Sequence, residues 1–166
     1  MKKIITAYFK SLEQAERALD LIGNARLANA KISLLCPVNP YTKEKYNEEY
    51  AEEISGTGEV GMLHDFHGVL VEMPWFEIPE IGKIAAAGPL ADDVKKKGLY
   101  KALLPLGLTE NKIKKINKAL KQNEVVVIIE TEEEKVNEAA QILADFGGRH
   151  VEKWNPHTKR ASIPHG

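Results

Sequence analysis

The sequence predicts a mixed α+β protein, and three observations carry that prediction. A strand-like run, a capped amphipathic helix and a second strand-like run occur near the N-terminus, and the same succession returns near the C-terminus. The 166 residues are 43% hydrophobic and 28% charged, an ordinary globular mixture in the size range of one domain. A chain of this length buries roughly two-thirds of the surface its unfolded form exposes, so it holds a core without staples.

The first half opens with Ile4–Phe9, a β-branched and aromatic run that reads as a strand. Ser11 follows as a helix N-cap with Gln14 as its capping-box partner. Leu12, Ala15, Ala18, Leu19 and Ile22 recur at helical spacing, and Gly23 is a stop signal. Ile32–Cys36 is the second strand, closed by Pro37 and Pro40. In the second half Val125–Glu130 is a strand, and Thr131 with Glu134 forms a second capping box. Val136, Ala139, Ala140, Leu143 and Phe146 make the apolar stripe, Gly147-Gly148 end the helix, and His150–Trp154 is the last strand. Two such βαβ units predict a ferredoxin-like sheet with both helices on one face.

The expected organisation is one domain, with core halves at 1–38 and 123–155, an insert at 39–122 and a tail at 156–166. About 85 residues are too many for a plain loop, so the insert needs structure of its own. Thr42–Ile54 reads as an acidic helix and Gly56–Gly61 as a flexible break. Val69–Met73 reads as a short strand and Pro74–Pro79 as a turn. Thr109 is placed to cap a helix reaching Lys121, with Ile113, Ile116 and Leu120 inward.

Composition excludes several function classes. The formal charge is −1, from 23 basic and 24 acidic residues, so no overall field draws the protein to nucleic acid or anionic lipid. The single cysteine, Cys36, cannot pair within the chain, which fits a reducing, cytoplasmic setting. No apolar run approaches the ~20 residues of a membrane span, and no secretory leader is expected.

Four segments are candidate sites. Gly56–Gly61 matches G-x-G-x-x-G but follows an acidic helix, not a strand, so a linker is favoured over a dinucleotide site. His64, Asp65 and His67 offer imidazole and carboxylate ligands for a transition metal, with Glu72, Cys36 or His150 as a third ligand; a surface pair is the competing reading. Ala85, Ala86, Ala87, Gly88 and Pro89 allow a backbone or ligand to approach closely, with Trp75 and Phe76 beside them; tight packing is the favoured reading. Residues 92–121 hold nine lysines and three acids, among them Lys95, Lys96, Lys97, Lys112 and Lys115. With no arginine and only Tyr100 as an aromatic, this basic patch reads as a solvated or subunit-pairing face rather than a nucleic-acid surface. No catalytic residue is indicated, and no cofactor is predicted beyond the alternative of a metal.

The segment Ile78-Pro79-Glu80-Ile81-Gly82-Lys83-Ile84-Ala85-Ala86-Ala87-Gly88-Pro89-Leu90-Ala91 resembles the bacterial heat-induced, general stress protein 17M-like family. The opening Ser-Leu-Glu-Gln-Ala-Glu-Arg-Ala helix and the Leu-Gly-Leu-Thr-Glu helix start are similar too. The family's long Gly/Ala-rich segment is short and polar here (Gly56–His67), so no membrane insertion is expected. The resemblance implies a stress-linked accessory role and no catalytic residues. The expectation is a non-enzymatic module that self-associates or binds a protein partner through an open sheet face or edge. The alternatives are a small metal- or ligand-binding protein using His64 and His67, and a subunit of a larger assembly.

Overall fold

A computed structural model describes residues 2–24, 31–38, 58–64, 70–79 and 81–155. The elements are β1 (Lys2–Phe9), α1 (Leu12–Asn24), β2 (Lys31–Pro37), β3 (Gly58–His64), β4 (Leu70–Ile78), β5 (Gly82–Ala87), α2 (Leu90–Lys97), α3 (Leu99–Leu103), α4 (Glu110–Lys121), β6 (Val125–Glu132), α5 (Glu133–Asp145) and β7 (Arg149–Trp154). A 3₁₀ turn at Leu104–Leu106 links α3 to α4. The protein is a mixed α+β structure around one seven-stranded sheet, ordered β3-β4-β5-β2-β6-β1-β7, in which every neighbouring pair is antiparallel.

Alternation along the strands sends apolar side chains to both faces. On one face Ile5, Ala7 and Phe9 of β1 and Val125, Val127 and Ile129 of β6 meet α1 through Ala15, Ala18 and Ile22, and α5 through Val136, Ala139 and Leu143. On the other face Ile4, Tyr8, Leu35, Ile84, Val126 and Ile128 meet α2, α3 and α4 through Val94, Leu103, Ile113, Ile116 and Leu120. Both faces are thus covered. Among the described residues the expected open face is closed, because the insert supplies three helices that pack on it.

Local signals explain several boundaries. Ser11 Oγ accepts from the Gln14 N–H at 3.2 Å, while Gln14 Oε1 reaches back to the Lys10 N–H at 3.2 Å. Thr109 Oγ1 accepts from the Lys112 N–H, as its position predicts. Thr131 is different: it stays in β6 opposite Lys3 and is buried, and Glu132 precedes α5 without a side-chain cap. One more pair of ladder residues, Lys2 and Glu132, wins over the cap that the spacing offered, since each buried strand position satisfies backbone groups that a helix start would leave open.

Two insert readings change. The predicted turn at Pro74–Pro79 is strand as far as Ile78, paired with β5 through Trp75↔Ala85, Phe76↔Ile84, Glu77↔Lys83 and Ile78↔Gly82. Pro74 lacks an N–H, and the β3 ladder shifts register between Glu59 and Gly61 where it meets that position, the usual accommodation of proline in a strand. Gly58–Gly61 belongs to β3 and not to a break. The helix expected at Thr42–Ile54 lies outside the described residues.

The Ala85–Pro89 segment is a packing joint. Ala85 and Ala87 face the α1 layer, and Ala86 faces the α2–α4 layer. Gly88 has φ +95°, and a Cβ there would lie 2.1 Å from the Ile32 carbonyl oxygen and 2.7 Å from Ser33 Cα. Pro89 then starts α2, and the buried Ser33 hydroxyl accepts from the Leu90 N–H at 3.1 Å. The small residues let the chain leave β5 and turn onto the sheet directly against β2.

Candidate functional site

The best-furnished hollow lies where α4 crosses the β1–β7 end of the sheet. It measures about 240 Å³ and is lined by Tyr8, Lys115, Lys118, Ala119, Gln122, Glu124, His150 and Glu152. Strand periodicity places Thr6 and Tyr8 on the α4 side of β1. Ile113, Ile116, Ala119 and Leu120 anchor α4 to the core of that face, leaving Lys114, Lys115 and Lys118 exposed.

β7 contributes through an irregular ladder. Thr6 pairs with Glu152 and Tyr8 with Arg149, with a register shift between them. His150 sits in that shift with φ 51°, a left-handed backbone that non-glycine residues seldom adopt. Its ring packs edge-on against Tyr8, with centroids 6.1 Å apart and planes at 70°. Beyond it, the Trp154 Nε1–H donates to Thr6 Oγ1 at 3.1 Å, tying the end of β7 to β1.

Both carboxylates of the cleft are held. Glu152 accepts from Lys112 Nζ at 2.8 Å, and Glu124 pairs with Arg149 at 2.7 Å. Lys112 also lies 5.0 Å from the Trp154 ring centroid, a cation–π distance. Glu152 holds the Lys112 ammonium above its usual range. Burial, with added repulsion from Glu152 and Glu124, pushes the Tyr8 phenol up to about 12. Tyr8 is therefore a protonated hydroxyl, a donor and not a base. Lys115 and Lys118 have no ion-pair partner among the described residues.

Two other hollows are chemically plainer. One of about 490 Å³, between α3 and α4, has Leu99, Tyr100 and Ile113 with Lys114, Lys118 and Lys121; it is larger but holds no carboxylate or imidazole. The other, about 300 Å³, is lined by Lys3, Glu133, Val136, Asn137, Lys153, Trp154 and Asn155. Its polar groups bond one another, Lys3 to Asn155 and Lys153 to Asn137.

The sequence-predicted sites fall elsewhere. His64 ends β3, while Asp65 and His67 lie outside the described residues. β3 and β7 are opposite edges of the sheet, six inter-strand steps or roughly 29 Å apart, so His150 does not join His64. Cys36 is buried on the α1 face of β2. Among the described residues no group of three or more His, Cys, Asp or Glu is placed to hold a metal. Phe76 is core; Trp75 lies on β4 opposite Ala85. The basic patch divides: Lys96 and Lys97 pair with Asp92 and Asp93 one turn earlier on α2, Lys95 is exposed on that helix, Lys112 is bound to Glu152, and Lys115 reaches the cleft.

Sequence reasoning missed Tyr8, Glu124 and Glu152, and named His150 only as a metal ligand. The available signal was alternation: Thr6 and Tyr8 break the apolar run of a central strand on one face, and His150, Glu152 and Trp154 alternate on β7. Compared with known proteins, the chain matches no protein-family model, no curated protein and no solved structure.

Proposed function

We propose that this protein is a non-enzymatic accessory or regulatory module, of the stress-linked kind its sequence resembles, that works by binding a small polar ligand in the Tyr8–His150 cleft. The observation that carries the reading is convergence: a buried strand hydroxyl, an imidazole on a kinked edge strand and two lysines of α4 without an ion-pair partner among the described residues line one small hollow. Convergent polar groups in a concavity are the usual signature of a ligand site. With Tyr8 kept protonated and both carboxylates in ion pairs, the cleft offers donors that can hold a ligand.

A ferredoxin-like core is part of this proposal. It is supported by the order β2-β6-β1-β7 of the two halves and by α1 and α5 sharing one face. A cytoplasmic setting is supported by the lone buried Cys36, and no helix among the described residues is long and apolar enough to cross a membrane. Self-association through the outer edge of β7 is a second reading, since no strand pairs there among the described residues. The His150 kink and the charges of Arg149, Glu152 and Lys153 blunt that edge.

Native mass spectrometry of untagged protein purified without chelator tests the proposal. The expected result is a small-molecule mass excess that disappears in Lys118→Glu, which places a carboxylate in the cleft. A bare-chain mass that stays unchanged after incubation with a metabolite extract overturns it, and a dimer of bare chains transfers the case to β7.

A further inference from the structure

We infer that the cleft between α4 and the β1–β7 edge takes a phosphate-type dianion, either inorganic phosphate or a small phosphate monoester. The inference rests on the ligand-binding reading above and specifies its chemistry.

Charge is the first argument. Lys115 and Lys118 line the hollow beside Glu124 and Glu152, and Lys112 and Arg149, outside the lining, neutralise the two carboxylates. Each carboxylate is committed to its own partner, Glu152 to Lys112 and Glu124 to Arg149, so the surplus of two positive charges resides on Lys115 and Lys118. These stand three residues apart on α4, which puts their stems about 5–6 Å apart on one helix face. Two ammonium groups at that spacing can contact different oxygens of one phosphate, and lysine meets phosphate as a point charge without needing a bidentate approach.

Hydrogen-bond capacity is the second argument. The Tyr8 hydroxyl, the Gln122 amide and the His150 ring add donors to the ammonium groups, and one oxygen of each carboxylate is engaged, Glu152 Oε2 by Lys112 and Glu124 Oε2 by Arg149. A hollow with this many donors suits a ligand made of acceptor oxygens. The protonated phenol of Tyr8 keeps its donor at any physiological pH. The third argument is size: about 240 Å³ falls below the roughly 300–1,000 Å³ that holds drug-sized ligands, so the occupant is small.

The test is an amide-NMR titration of the full chain with sodium phosphate at constant ionic strength, with glycerol 3-phosphate, acetate and glycerol as parallel probes. The expected result is saturable, one-to-one shifts at Tyr8, Lys115, Lys118 and His150. Lys115→Gln combined with Lys118→Gln, both surface changes, should weaken phosphate by more than tenfold. Tyr8→Phe should weaken it roughly tenfold, the usual loss for one hydrogen bond to a charged group. Tighter binding of glycerol 3-phosphate than of phosphate supports a monoester as occupant, and equal or weaker binding supports the free ion. Shifts that do not saturate, or that survive the lysine changes, overturn the dianion. Stronger binding of acetate or glycerol at the same amides also overturns it, while leaving the cleft as a ligand site intact.

Discussion

Replacing Gly88 by alanine tests whether the Ala85–Pro89 segment is a packing joint. The added Cβ meets the Ile32 carbonyl oxygen at 2.1 Å and Ser33 Cα at 2.7 Å. Both are backbone atoms of β2, which pairs with β6 on one side and β5 on the other, so neither can move without opening a ladder. Two costs add. Holding an L-residue at φ +95° costs about 1–2 kcal/mol, and forcing volume into a close-packed contact costs about 1–3 kcal/mol. The expected loss is about 4 kcal/mol, a large part of a typical domain's stability and roughly 12 °C in Tm for a chain of this length. Gly82→Ala is the internal control, because Gly82 has φ +109° with nothing within 4 Å of an added Cβ, and it should lose only the strain of about 1–2 kcal/mol. Urea and thermal unfolding followed by circular dichroism give both values. If Gly88→Ala is no worse than Gly82→Ala, close backbone approach is not the reason for glycine at 88.

Two further outcomes follow from single contacts. Ser33→Ala removes the hydroxyl that accepts from the Leu90 N–H at the start of α2 and should cost about 1 kcal/mol in urea unfolding; no loss would mean that this hydroxyl does not cap α2. Tyr8 gives a pH signature. Its folded-state value of about 12 lies above the ordinary 10.0, so its contribution is complete below pH 10 and is lost as pH rises through 12. After allowance for water in the open cleft, that contribution is on the order of 1 kcal/mol. Tyr8→Phe should therefore lose less stability than wild type between neutral pH and pH 12, and parallel curves would show that the phenol does not titrate in that window.

Elements specified by neighbouring residues were legible in the sequence. The Ser11–Gln14 and Thr109 caps, the Leu12–Ile22 stripe and the Ile113–Leu120 stripe all depend on contacts within four residues, and they stand where the spacing puts them. Thr131 carried an equally good local signal, yet the ladder between Lys3 and Thr131 prevailed because it belongs to the continuous eight-pair β1–β6 ladder. Pro74 misled in the same way: a turn residue by local preference, it lies in a strand whose partner shifts register beside it. The closure of the second sheet face was not legible, because nothing in the α2–α4 pattern says which sheet it covers. The cleft was the least legible feature of all. Tyr8 and His150 are separated by nearly the whole chain, and only the pairing of β7 on β1 joins them.

The most direct test of the central claim is to map amide shifts across the 15N-labelled protein on addition of a small-molecule metabolite extract. Saturable shifts centred on Tyr8, Lys115, Lys118, Glu124 and His150, absent in Lys118→Glu, are what a ligand site in this cleft predicts. Shifts confined to the α3–α4 hollow around Tyr100, or no saturable shifts anywhere, would contradict it.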